Sequence, residues 1–195
     1  MRGPVNTSDK RDSLNQPAKA GLSGGQFAGR GSARRVALCG LLTALMLTLG
    51  YVESQIQLMP AVPGIKPGLA NGVLLYGVWL LPPALTTGLM LVKVLLSALF
   101  FGNPFGLAFS LAGGVLSLLG MQLMRRFTGF GVISCGVVGA LLHNAGQLLV
   151  AVPLMGNVNL LYYAPVLALA GIGAGLLTGF AAGLVIRVIH PGPPP

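Results

Sequence analysis

Between residues 36 and 187 the chain alternates long apolar runs with short polar or proline-bearing breaks. The first run, VALCGLLTALMLTLGYV, stays apolar from Val36 to Val52 and meets Glu53. A stretch holding Pro60, Pro63 and Pro67 follows, then the shorter LANGVLLYGVWLL at 69–81, broken by Pro82 and Pro83. Next come ALTTGLMLVKVLLSALFF, the turn GNPFG, and LAFSLAGGVLSLLGMQLM, which Arg125 and Arg126 interrupt. GVISCGVVGALLHNAGQLLVAV runs to Val152, a loop occupies 153–159, and a last run over about 162–186 ends at Arg187. A helix crosses the roughly 30 Å hydrocarbon layer with about 20 residues. The pattern therefore predicts six transmembrane helices, or five if the short second run is re-entrant.

Composition supports the same class. Hydrophobic residues make up 54% of the chain and charged residues 8%, against about 25% charged in ordinary soluble domains. So few polar side chains cannot cover a water-facing surface. The expected fold is an all-α integral membrane protein.

Charge sets the expected orientation. Asp9, Asp12 and Glu53 are the only acids, whereas residues 1–35 carry Arg2, Lys10, Arg11, Lys19, Arg30, Arg34 and Arg35. That segment is rich in Gly, Ser, Asn and Gln and reads as a disordered basic tail. With Arg125, Arg126 and Arg187 on the same side, the positive-inside rule places both termini in the cytoplasm. The Pro82–Pro83 turn is then inside, while Glu53, Lys66, GNPFG and the 153–159 loop lie outside. Residues 36–187 form the membrane domain and 188–195 a proline-rich stub. The protein is expected in the cytoplasmic membrane, with the bilayer and not nucleic acid as the tail's partner. The tail lacks the short apolar run and cleavage site of a signal peptide. GGQFAGRGS lacks the Lys-Ser/Thr pair of a phosphate loop, and no strand precedes it. Cys39 and Cys135 stand singly in apolar runs, without metal-ligand spacing, and read as packing residues.

Several polar groups are out of place in lipid. Lys66 sits in PGIKPGLAN between Pro63 and Pro67. Prolines prevent a regular helix, and irregular backbone at membrane depth is tolerated only beside protein or a water-filled cavity. Lys93 lies ten residues into its run, about 15 Å deep, where a lysine needs a partner; Glu53 is the one acid in reach, and Lys66 competes for it. His143, Asn144 and Gln147 fall within about 100° of one helical face, with Gly136, Gly139 and Ala140 one turn earlier. These groups bind a ligand or tie neighbouring helices together, and His143 is also a candidate proton carrier. Gly171, Gly175, Gly179 and Gly183 repeat every fourth residue, a spacing that lets helix backbones approach closely, within the chain or against another subunit. Ala33/Ala37 and Gly40/Ala44 form a weaker stripe on the first run.

PGIKPGLAN, Lys93 in LVKVLLSALFFG, FSLAGGVLSLL and LLHNAGQLLVA occur in the order seen in the Gx transporter family, also catalogued as heptaprenyl diphosphate synthase component I. The chain resembles that family across about residues 36–187. It departs from it at Lys93, where arginine is commoner, and at Pro67, where leucine is commoner. The family is similar to the S components of energy-coupling-factor transporters, six-helix proteins that capture vitamins from the outer face and work with a scaffold subunit and ATPases.

The resemblance implies an outward-facing cavity lined by Lys66, Asn71, Lys93, His143, Asn144, Gln147 and Glu53. The basic character of the cavity favours an anionic or carboxylated solute. The first-run stripe would then dock a transmembrane scaffold subunit associated with ABC-type ATPases. The second family label implies instead a membrane subunit beside a prenyl diphosphate synthase catalytic chain, or an assembly subunit of a membrane complex. Prenyl synthases hold magnesium diphosphate with aspartate-rich motifs, because the metal needs hard carboxylate oxygens. No aspartate follows Asp12, so the expectation is a protein without catalytic activity, cofactor or metal.

Overall fold

The structure is a computed structural model and describes residues 24–55, 66, 68–101, 104–127 and 129–189. The first part of the tail, the Pro60 and Pro63 positions, Pro67, Gly102–Asn103 and the stub from His190 lie outside the described residues. Six α-helices follow in order: α1 Gly24–Gln55, α2 Asn71–Leu80, α3 Pro83–Phe101, α4 Pro104–Phe127, α5 Val132–Met155 and α6 Ala164–Ile189. A 3-10 turn at Val158–Tyr163 joins the last two. Residues up to Ala37 and those from Leu38 onward form separate compact units. The described part of the first unit is helical from Gly24. Residues 24–35, part of the segment expected to be disordered, are thus helical, and between Pro17 and Pro60 the sequence has no proline to stop a helix.

Among the described residues, five helices are long and apolar enough to cross a membrane: α1 from Ala33, α3, α4, α5, and α6 with its preceding turn. The exception is α2. Its ten residues rise about 15 Å, half of the hydrocarbon thickness. The second apolar run is thus too short to cross by itself as a helix. Leu81 is extended, as the residue before a proline prefers, and Pro83 opens α3 at the position where its missing N–H costs nothing. Long apolar side chains such as Leu99, Leu149, Leu169 and Val188 are exposed, which suits an acyl-chain solvent and not water.

The α5 helix lies between α4 and α6 and packs on both. Glycines permit the approach on each side. A Cβ on Gly136 would stand 2.8 Å from the Gly175 oxygen and 3.0 Å from the Gly179 Cα. One on Gly175 would stand 2.5 Å from the Val137 Cα, and one on Gly179 2.8 Å from the Ile133 Cα. Toward α4, a Cβ on Gly146 would meet the Ala112 oxygen at 2.8 Å, and one on Gly113 the His143 oxygen at 2.7 Å. Most of the α6 glycine repeat is therefore internal packing: Gly171, Gly175 and Gly179 are buried, while a Cβ on Gly183 would make only an ordinary contact with Val132. The stripe on α1 differs, since Ala33, Ala37, Gly40 and Ala44 are all exposed.

Candidate functional site

The segment before α2 turns on a single backbone conformation. Gly68 has φ +87°, a region that side chains other than glycine's enter at a cost. A Cβ there would also press on Asn71 Nδ2 at 3.1 Å and the His143 ring at 3.2 Å. This turn lets the chain come back toward the bundle and start α2, with Asn71 N–H donating to the Gly68 oxygen (3.0 Å). Helix starts leave N–H groups without intrahelical partners, and Ala70 has no side chain to supply an acceptor. Glu53 supplies it from α1: its Oε1 accepts from Ala70 N–H at 3.0 Å. A carboxylate at this end also suits the helix dipole.

Gln147 of α5 fastens the same segment one step earlier. Its Oε1 accepts from Lys66 N–H at 3.1 Å, and its Nε2 donates to the Lys66 oxygen at 3.4 Å. The backbone N–H can only donate, so the amide orientation is fixed by chemistry. Gln147 Nε2 then also donates to His143 Nε2 at 2.5 Å, which puts the imidazole proton on Nδ1. That atom faces the Gly113 backbone without a well-aligned hydrogen bond. Asn71 Nδ2, Ser117 Oγ and Asn144 Oδ1 are likewise buried and unpartnered among the described residues. Removing the Gln147 amide should loosen this loop first. Gln147→Ala is expected to raise the hydrogen-exchange rate at the Lys66 amide about tenfold, the loss of about one hydrogen bond; unchanged exchange would show that other contacts hold the segment.

Lys93 is 8% exposed and Glu53 1%. Lys93 Cε lies near Gly50, three residues before Glu53 on α1. Gly50 makes room for this arrangement: a Cβ there would stand 3.5 Å from Ser97 Oγ and 3.9 Å from Lys93 Cε. Lys66 is half-buried, and its burial pushes the ammonium pKa down from the usual lysine value while Glu53 opposes that shift. One acid and two lysines thus belong to this region, a formal excess of one positive charge.

The structure brings Glu53, Lys66, Asn71, Lys93, His143 and Gln147 to the approach of α2. Asn144 does not share this face. It is rotated about 100° from His143 along the helix, and its Nδ2 donates to the Leu167 oxygen of α6 at 2.7 Å, next to Gly171. It is a tie between α5 and α6. The Lys66 backbone meets Gln147, eight residues and about 12 Å along α5 from Met155. Sequence reasoning passed over Gly50 and Gly68, because neither carries chemistry of its own. The KPG spelling was the available signal for a turn at Gly68.

A family model described as heptaprenyl diphosphate synthase component I matches residues 42–185, from α1 through most of α6. No curated protein and no solved structure matches the chain. The matched segment contains every residue of the buried polar cluster, and the chain belongs to the heptaprenyl diphosphate synthase component I family.

Proposed function

We propose that this membrane protein is the solute-binding component of a transporter and captures a small anionic or carboxylated solute from the outer face. The observation that carries the reading is the group of one acid and two lysines at the approach to α2. A buried cluster with excess positive charge is costly in a bilayer unless it pairs with an anion. Unpartnered Asn71 Nδ2 adds a donor. On this reading the chain is S-component-like and non-catalytic. The exposed α1 stripe then faces a scaffold subunit that carries the ATPases.

The family's description favours a second reading, a membrane subunit associated with a heptaprenyl diphosphate synthase chain. Native mass spectrometry of the gently solubilised protein from its own host separates the two. Transport predicts a retained organic solute, and Lys66→Ala should weaken its binding about tenfold, the loss of about one charge-assisted contact. Equal retention by Lys66→Ala would remove Lys66 from the site. A bound prenyl synthase chain with no solute would replace the transport reading by the accessory one.

A further inference from the structure

At the opposite end of α2 the structure forms a second site, made of different residues. A cleft of about 750 Å³ lies between the end of α2, the Pro82–Pro83 turn and the last turns of α4. We propose that it binds the phosphate group of an amphiphilic ligand, with the ligand's apolar tail leaving along α4 toward the lipid.

Three observations lead there. The first is an orphaned donor: Trp79 lines the cleft, its side chain is 8% exposed, and its Nε1–H is buried with no hydrogen-bond partner. An indole N–H can only donate, so it calls for an acceptor. The second is positioned cationic charge. Arg125 is anchored by an Nη1 hydrogen bond to the Val78 oxygen, and its guanidinium lies 5.6 Å from the Trp79 ring centroid. This anchor uses one N–H and holds the rest of a five-donor fork in a fixed direction. Arg126 adjoins it, exposed and also lining the cleft. Glu53 is the only acid after Asp12 in the chain, and it lies with the other cluster. The third is the shape of the wall: Leu119 and Leu123 line the cleft and are 60% and 59% exposed.

Two guanidinium groups and an indole N–H suit a group with several acceptor oxygens, which a phosphate monoester has and an alcohol lacks. The leucines suit an acyl or prenyl chain. The positive-inside rule puts this end in the cytoplasm, where basic pockets between helices meet anionic headgroups. A membrane phospholipid or a soluble phosphate ester would present the same group.

Trp79 is the single tryptophan of the chain, so its emission reports on the cleft directly. The full-length protein in phosphatidylcholine vesicles should show a saturable change in emission with dodecyl phosphate and none with dodecanol. If inorganic phosphate saturates the response equally well, the phosphate site stands and its ligand is soluble. If vesicles containing phosphatidylglycerol suppress the response, the site stands and the lipid fills it. Arg126→Gln, an exposed substitution, should weaken dodecyl phosphate about tenfold. Arg187→Gln, a cation outside the cleft, should leave the affinity unchanged. The proposal is overturned by an equal response to dodecanol, by no saturable response, by unaltered affinity in Arg126→Gln, or by equal weakening in both variants.

Discussion

Glu53→Gln is expected to destabilise the folded bundle by about 3 kcal/mol or more, although the new side chain keeps an oxygen for the Ala70 N–H. The substitution removes only the charge, and it leaves Lys93 buried beside a neutral group. Breaking one partner of a buried charge pair costs about 3–5 kcal/mol, since the remaining charge stays desolvated and uncompensated. Lys93→Met should cost a similar amount for the mirrored reason. The double substitution should cost less than the two single ones together, because it leaves neither charge stranded. A double-mutant cycle from denaturant titration in detergent would measure this, with an expected coupling of about 1–3 kcal/mol. Lys66→Ala should couple to Glu53 more weakly, because Lys66 is only half-buried. Strictly additive single effects would show that Glu53 acts only as an acceptor for the start of α2.

The second large effect concerns the α5–α6 contact. Gly175→Ala is expected to lower stability by about 1–3 kcal/mol, the usual range for overpacking a tight core. The clash is with backbone on the facing helix: the Cβ would stand 2.5 Å from the Val137 Cα and 2.9 Å from the Gly136 oxygen. No side-chain rotamer can relieve that, so the helices must separate. Separation would also stretch the Asn144 hydrogen bond to Leu167, which joins the same two helices. Gly173→Ala is the matched control, since nothing lies within 4 Å of its Cβ position. It should be neutral or slightly stabilising, as alanine favours a helix over glycine by up to about 1 kcal/mol. Thermal unfolding in detergent gives both values. Equal midpoints for the two variants would mean that the α5–α6 interface is looser than the structure has it.

The heptaprenyl diphosphate synthase component I family supplies a chain of this kind with a name for its class. Two polar clusters lie at opposite ends of one short helix. At the start of α2, Glu53 receives the Ala70 N–H in the region of two lysines. At its end, Arg125 grips the Val78 oxygen beside Trp79. A ten-residue helix can be held at both ends in this way because it terminates inside the bundle, where neighbouring helices reach its unpaired backbone groups.

The sequence by itself determined the membrane class and the main helices, because a bilayer imposes one strong and local requirement: about 20 apolar residues for each crossing. It also marked the polar residues that lipid would reject, such as Lys93 and His143, since burial of such groups is costly wherever the helix lies. Pairing was another matter. Helical periodicity placed Asn144 with His143 and Gln147, within 100° of one another, yet α6 takes Asn144 and the loop before α2 takes Gln147. Which neighbour stands at a given angle is a property of packing, and spacing along one helix does not contain it. The α6 glycines show the same division. Their spacing announced a close contact, and only the facing α5 backbone at Ile133, Gly136 and Val137 decided that the contact is internal. Gly68 depends on the tertiary structure most fully, because its left-handed conformation exists to bring Lys66 to Gln147 and Ala70 to Glu53, partners 81 and 17 residues away along the chain.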